Sequence, residues 1–198
     1  SVFHSNIISL DFYYDSLETF LTDSNYNFEI IGITETRIKK SQPLLTNISL
    51  PNYNIEQTPT ESTKGGALLY IKSCLNYKLR PDLQIYKSIE LESIFIEIIH
   101  PNKKNMIIGC LYRHPSMNPT EFNEDYLTKL SEKLIKENKD ILLMGDFNFD
   151  LLKSESNKDT SLFLDLIYNT NLFPTITSPI RLTSRIITLI DNIFSNIL

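Results

Sequence analysis

Apolar and polar positions along the chain switch between two periods, and the switches mark where elements begin and end. Residues 2–10 are β-rich and predict a strand. Over residues 11–21, Phe12, Leu17, Phe20 and Leu21 recur at roughly helical spacing, with Asp11 placed to cap a helix. FEIIGIT, residues 28–34, is a short continuous apolar run, the pattern of a strand covered on both faces. A polar, proline-containing stretch follows to about Thr63 and carries no predicted element.

After Gly65-Gly66 the run 67–71 predicts a strand, and residues 74–79 another. In residues 91–99, Ile94, Ile96 and Ile98 alternate against Ser93, Phe95 and Glu97, which predicts a strand with one strongly buried face. Residues 102–105 form a polar turn, and residues 106–112 return as the antiparallel partner. From Pro119 to Lys136 a helix is expected, capped by Asn118 or Thr120, with Phe122, Tyr126, Leu130 and Leu134 on one face. Residues 141–144 predict a strand, 160–168 a helix, and 186–195 a final strand pair or one bent strand. Hairpin-like pairs interspersed with helices imply a mixed sheet with helices outside it.

Composition adds bounds. Of 198 residues, 41% are hydrophobic and 22% charged, enough for one well-buried core. The 19 basic and 24 acidic residues give a net charge of −5. No stripe of excess Lys and Arg is visible, which argues against tight autonomous DNA binding but not against an enzyme that holds a cation with carboxylates. Cys74 and Cys110 fit neither a zinc pattern nor a disulfide framework and are expected to be buried free thiols. No apolar run approaches bilayer-spanning length. The openings SVFHSNIISL and DNIFSNIL at the two ends are abrupt, and a piece of a longer protein is expected.

Polar residues stand directly after several apolar runs. Asn6 follows VFHS, Glu35 follows FEIIGIT, Asp146 and Asn148 follow ILLMG, and Asp191 follows IITLI. A strand end is where a rigid scaffold can hand a side chain to a cleft, and carboxylates with amide oxygens are the ligands a hard cation prefers. Taken singly, each is more simply a turn or capping residue. In GDFN, Gly145 allows close backbone approach, Asp146 and Asn148 share one side of the extended chain, and Phe147 points into the core.

KDILLMGDFNFDLL resembles the GDFN signature of the endonuclease/exonuclease/phosphatase superfamily. HSNIISL, EIIGITETRI, KGGALLYIK, IIGCLYRHPS and SPIRLTSRIITLIDNIFSN follow in an order similar to the apurinic-endonuclease-like domain of LINE-type (non-LTR) retrotransposons. The resemblance implies an α/β fold of two packed mixed sheets flanked by helices, a four-layer α/β/β/α sandwich, over residues 1–198 as one domain. It implies a Mg²⁺-dependent endonuclease, with Mn²⁺ as substitute, that hydrolyses DNA phosphodiester bonds to prime reverse transcription. In that case the parent protein continues into a reverse transcriptase, acts in the nucleus and engages no membrane.

By the same resemblance Glu35 would coordinate the cation and Asn6 support it. Tyr112 would hydrogen-bond the scissile phosphate. Asp146 would orient or deprotonate the attacking water, Asn148 would position Asp146 or the phosphate, and Asp191 would steer a catalytic histidine. Arg113, Arg181 and Thr183 would contact phosphate, with Thr188 competing for the role of Thr183. Two departures stand out. Ile8 replaces the family's usual arginine, and the Ser-Asp-His triplet that closes the family is not found, so the last strand is expected to be missing. His4, His100 and His114 do not substitute for it. Two other readings stay open: an inactive remnant, and a phosphodiesterase acting on something other than nucleic acid.

Overall fold

The computed structural model describes residues 1–182 and 187–197. Its first sheet has the order β1-β2-β4-β3. The strands are β1 (Val2–Asn6), β2 (Ile30–Thr34), β3 (Tyr53–Thr58) and β4 (Ala67–Lys72). β1 and β2 run parallel, joined by helix α1 (Leu10–Asp23), while β4 is antiparallel to both β2 and β3. The parallel pair needs this crossover because a tight turn can only reverse the chain.

The second sheet has six strands. β5 (Tyr77–Leu79), β6 (Leu91–Ile98) and β7 (Met106–Arg113) form an antiparallel meander. β8 (Asp140–Asp146) then lies parallel to β7. The crossover between them is helical. Asn118 accepts from the backbone N–H of Thr120 and Glu121, and α2 (Pro119–Glu121) passes through a π-helical stretch, Phe122–Leu127, into α3 (Thr128–Glu137). The Thr128 hydroxyl donates to the Asn123 carbonyl within that wide turn. Asn138, at φ 46°, ends the helix in the left-handed region that asparagine tolerates.

Helix α4 (Lys158–Asn169) follows. Then come β9 (Phe173–Pro174), the ribbon β10 (Arg181–Leu182) with β11 (Ile187–Thr188), and β12 (Asp191–Ser195). β12 runs antiparallel to both β8 and β9.

Three apolar clusters hold four layers together. Between the sheets, Ile30, Leu69 and Ile71 meet Ile94, Ile96, Ile108 and Met144. Outside the first sheet, Leu10, Tyr14 and Leu17 of α1 cover Ile31, Ile33, Leu68 and Tyr70. Outside the second, Phe122, Leu130, Phe163 and Ile167 cover Phe95, Leu111, Phe147 and Phe194. This is the four-layer α/β/β/α sandwich expected from the sequence. Even-numbered residues of β6 face the other sheet and odd-numbered ones face the helices, because side chains alternate along a strand.

Several local expectations are corrected. The first strand stops at Asn6, and α1 opens after Ser9, so Asp11 lies in its first turn, where it accepts from the Leu45 N–H. β3 emerges from the stretch given no element. It is an edge strand paired on one side only, and its half-buried alternation is too weak to stand out among polar neighbours. β6 is buried along its whole length on both faces, since β5 and β7 flank it and a sheet and a helix layer cover it. Cys110 is buried as expected, but Cys74 is exposed in the turn before β5. The segment expected as a final strand pair or one bent strand holds two strands, but in different sheets, β11 joining β10 and β12 joining β8; Ile186 lies outside the described residues.

Candidate active site

β1, β2, β7 and β8 end on the same side of the sandwich, and β12 begins there. Parallel pairing sets Asn6 beside Thr34 and Tyr112 beside Asp146, while antiparallel pairing sets Asp191 opposite Asp146. A pocket of about 480 Å³ opens over these ends. It is lined by His4, Asn6, Glu35, Asp146, Asn148 and Asp191, with Ile176, Ile180 and Ile190 as an apolar wall.

At the pocket, two side-chain hydrogen bonds cross from one sheet to the other. Asn6 Nδ2 donates to Asp146 Oδ2 at 2.8 Å, and the Tyr112 hydroxyl donates to Glu35 Oε1 at 2.8 Å. Asp146 is buried, and its other oxygen accepts from the Asn148 backbone N–H at 3.0 Å. Asn6 Oδ1 accepts from the Ile8 N–H at 3.2 Å, so the side chain is held at both ends. The resemblance gives Tyr112 the scissile phosphate as partner. In the structure its single hydroxyl proton goes to Glu35, and burial, together with that carboxylate, raises its pKa well above the usual phenol value.

The backbone is strained around this pocket. Ile8, Glu35 and Asn148 adopt φ of 62°, 52° and 52°, a region that residues other than glycine enter at a cost of order 1–3 kcal/mol. For a β-branched residue such as Ile8 this is a pronounced outlier. Gly145, just before Asp146, answers a different need. A Cβ there would lie 1.9 Å from the Leu111 carbonyl oxygen, so the close approach of β7 and β8 excludes any larger residue.

Arg113 does not occupy the position expected of a phosphate contact. It is 2% exposed, and its guanidinium donates to the carbonyls of Phe147, Asn148 and Met117. The reason is alternation: Tyr112 faces the other sheet, so Arg113 must face the helix layer. Burial lowers its pKa to about 10, leaving it charged at neutral pH. For Arg181 only the backbone, in β10, is described, and Thr183 lies outside the described residues. Thr188, the alternative, lies in β11.

His4 lines the pocket, as the same-face spacing from Asn6 suggests, and its Nε2 lies 3.2 Å from the Thr34 hydroxyl. Burial drops its pKa to about 3, so it is neutral across the working range. His114 sits in the turn after β7 with its Nδ1 2.6 Å from the Ser116 hydroxyl.

Glu92 was not singled out from the sequence. It is fully buried on β6 directly across from Tyr112, and accepts from the Thr60 hydroxyl at 2.9 Å. The signal is present: Glu92 shares its strand face with Ile94, Ile96 and Ile98. An acid in that series must be buried at the end of the inter-sheet core. Of the pocket-wall isoleucines, Ile176 and Ile180 come from a loop with no periodicity to mark them.

The fold is shared with proteins of several activities. The endonuclease domain of TRAS1, a telomere-specific non-LTR retrotransposon, superposes with a TM-score of 0.70 at 14% identity, covering 99% of this chain and 84% of that one. The AP endonuclease LMAP from Leishmania major gives 0.69 at 10% identity, covering 99% and 78%. The 3'-5' exonuclease NExo from Neisseria meningitidis gives 0.64 at 14%, covering 98% and 85%. No curated protein matches the chain by sequence. Residues 10–196 match the model of one family over nearly the whole chain, with the strand-end acids and amides gathered in one pocket: the chain belongs to the Endonuclease/Exonuclease/phosphatase family.

Proposed function

We propose that the chain is a divalent-metal-dependent DNA endonuclease, of the kind that nicks target DNA so that a retroelement can prime reverse transcription. The observation that carries the reading is the pair of hydrogen bonds, Asn6 to Asp146 and Tyr112 to Glu35, that brings acids from both sheets into one oxygen-lined pocket. The retroelement assignment draws on ETR, YRHPS and LIDNIFSN, whose wording is that of LINE-type domains, and on a fold shared with the TRAS1 domain.

The donors suit a hard cation. Glu35, Asn6, Asp146 and Asp191 offer only oxygen and nitrogen-bearing amide groups, with no thiolate. Among the described residues no three His, Cys, Asp or Glu side chains form a ready-made metal cage. Mg²⁺ keeps several waters and takes one or two carboxylates together with substrate phosphate, and Mn²⁺ would use the same donors. Glu35 would hold the ion and Asn6 would support that site. When bound, the ion would supply positive charge for the oxygens of the pentavalent phosphorus centre.

The chain's own groups do the rest. Asp146, fixed by Asn6 and by the Asn148 N–H, takes a proton from the attacking water as its oxygen bonds to phosphorus and the opposite P–O bond breaks. Tyr112 keeps Glu35 oriented, and Asp191 lines the pocket across from Asp146. Arg181 and Thr183 are assigned to phosphate on the resemblance alone.

Supercoiled plasmid incubated with the protein and Mg²⁺ should convert to nicked circles, and chelation should stop it. Glu35→Ala and Asp146→Ala should each lower the rate about 1000-fold or more. Variants that nick as fast as the parent would sink the proposal.

A further inference from the structure

We infer that Arg113 is a positioning residue for the Asp146–Asn148 turn, and that it does not bind phosphate. The inference rests on the proposed nuclease reading for its catalytic consequence, although the geometry behind it stands alone. Arg113 projects from the last position of β7 into the helix-side core, away from the pocket. Its guanidinium carbon lies 4.3 Å from the centre of the Phe149 ring and 5.6 Å from that of Phe122. A cation enclosed by these rings cannot also reach a DNA backbone.

What it reaches instead is the inner side of the catalytic turn. One nitrogen, Nη1, donates to both the Phe147 carbonyl at 3.2 Å and the Asn148 carbonyl at 3.3 Å; Nη2 donates to Met117 at 2.9 Å. The clasp is mutual, because Asn148 Nδ2 donates back to the Arg113 carbonyl at 2.6 Å. Between these bonds sits Asn148 with φ 52°, whose backbone N–H is one of the donors that fix Asp146. Asparagine tolerates the left-handed region, so the turn is locally available and its surroundings determine how rigidly it is held. Arg113 supplies that determination from behind, and its charge neighbours the buried Asp146 carboxylate.

Only arginine meets the demand. A planar guanidinium carries five donors in a fixed fork and can serve three separated carbonyls at once; a lysine ammonium is a compact point charge that cannot. A burial this deep, with Nε left without an acceptor among the described residues, is expensive for a cation. That expense is accounted for if the turn must be held rigid.

The test compares Arg113→Lys and Arg113→Met with the parent in Mg²⁺-dependent nicking, DNA affinity as a function of salt, and amide hydrogen exchange. Both variants should lose about 100-fold in the single-turnover nicking rate. Their slopes of log affinity against log salt should match the parent's. Exchange at the Phe147, Asn148 and Phe149 amides should quicken at least tenfold relative to those of β7. A slope reduced by ~1 with the nicking rate retained would identify a phosphate contact and overturn the inference.

Unchanged exchange at the turn would overturn it as well. If the parent itself does not nick, the nuclease reading fails, and the exchange comparison still decides the role of Arg113. If neither variant folds, the parent's Arg113 Nη protons decide it by NMR. Separate, slowly exchanging signals support the clasp, and a single averaged signal refutes it.

Discussion

Glu92 and Glu97 lie five positions apart on the same strand, both fully buried, and the molecule treats them in opposite ways. Glu97 points into the helix-side layer at the end far from the pocket. Burial alone would raise its pKa, but Lys139, Asn105 and Arg80 overcome that and hold it down to about 2. Glu92 points between the sheets at the pocket end. Burial raises it to about 7, because only the Thr60 hydroxyl and the Gly66 backbone N–H pull the other way, and the charge of Glu61 adds to the rise. One end of the sandwich is neutralised for stability. The other keeps an under-compensated acid beside Tyr112 and strained backbone at Ile8 and Glu35. Functional ends are where a fold tolerates such conflicts.

The contrast can be broken most forcefully at Glu97. Glu97→Ala leaves Arg80 and Lys139 around an empty buried site, and urea denaturation should show a loss of about 3–5 kcal/mol, with nicking per folded molecule unchanged. Next comes the pH dependence. Folding raises the Glu92 pKa above its usual 4.5, so the folded state binds the extra proton. Stability should therefore fall as pH rises from about 4.5 to about 7, by roughly 3 kcal/mol, and level off above.

Glu97 works with the opposite sign, its contribution present above pH 4.5 and lost as pH falls towards about 2. Glu92→Gln should flatten the upper limb alone; an unchanged limb would show that Glu92 does not carry it. A smaller effect is expected at Gly65, where φ is +95° and a Cβ would stand 2.8 Å from Glu92 Oε2. Gly65→Ala should cost about 1–2 kcal/mol by thermal melting. Smallest is Lys78→Ala, which removes a half-exposed outer partner of Glu97 at 3.4 Å and should move stability by less than about 0.5 kcal/mol.

The sequence made the central strands legible because their apolar runs are covered on both sides, as in β2, β4 and β8. It also made legible which polar residues end those strands, and Asn6, Glu35, Asp146, Asn148 and Asp191 do line one pocket. Edge strand β3 was lost because pairing on one side leaves a half-polar pattern close to that of a loop. Arg113 was misplaced because a motif gives a residue's position but not the direction of its side chain. Counting outward from Tyr112 by alternation would have sent Arg113 into the core. Glu92 was passed over because burial of an acid is decided by the sheet on the far side, and single-strand patterning does not see it.

The two hydrogen bonds that join the sheets at the pocket link residues 140 and 77 positions apart. Neither sheet holds a complete site: Asn6 ends β1 and Glu35 directly follows β2 of the first, while Tyr112 and Asp146 lie in the second. A chain emerging from the ribosome with its first sheet formed therefore carries one donor, Asn6, and one acceptor, Glu35, without their partners until β8 has been made and the layers have docked. Closing so long a loop adds little to the final cost but delays the contact, since distant pairings form late. Assembly of the pocket is in this way tied to completion of the fold, and partly folded chains hold no assembled centre.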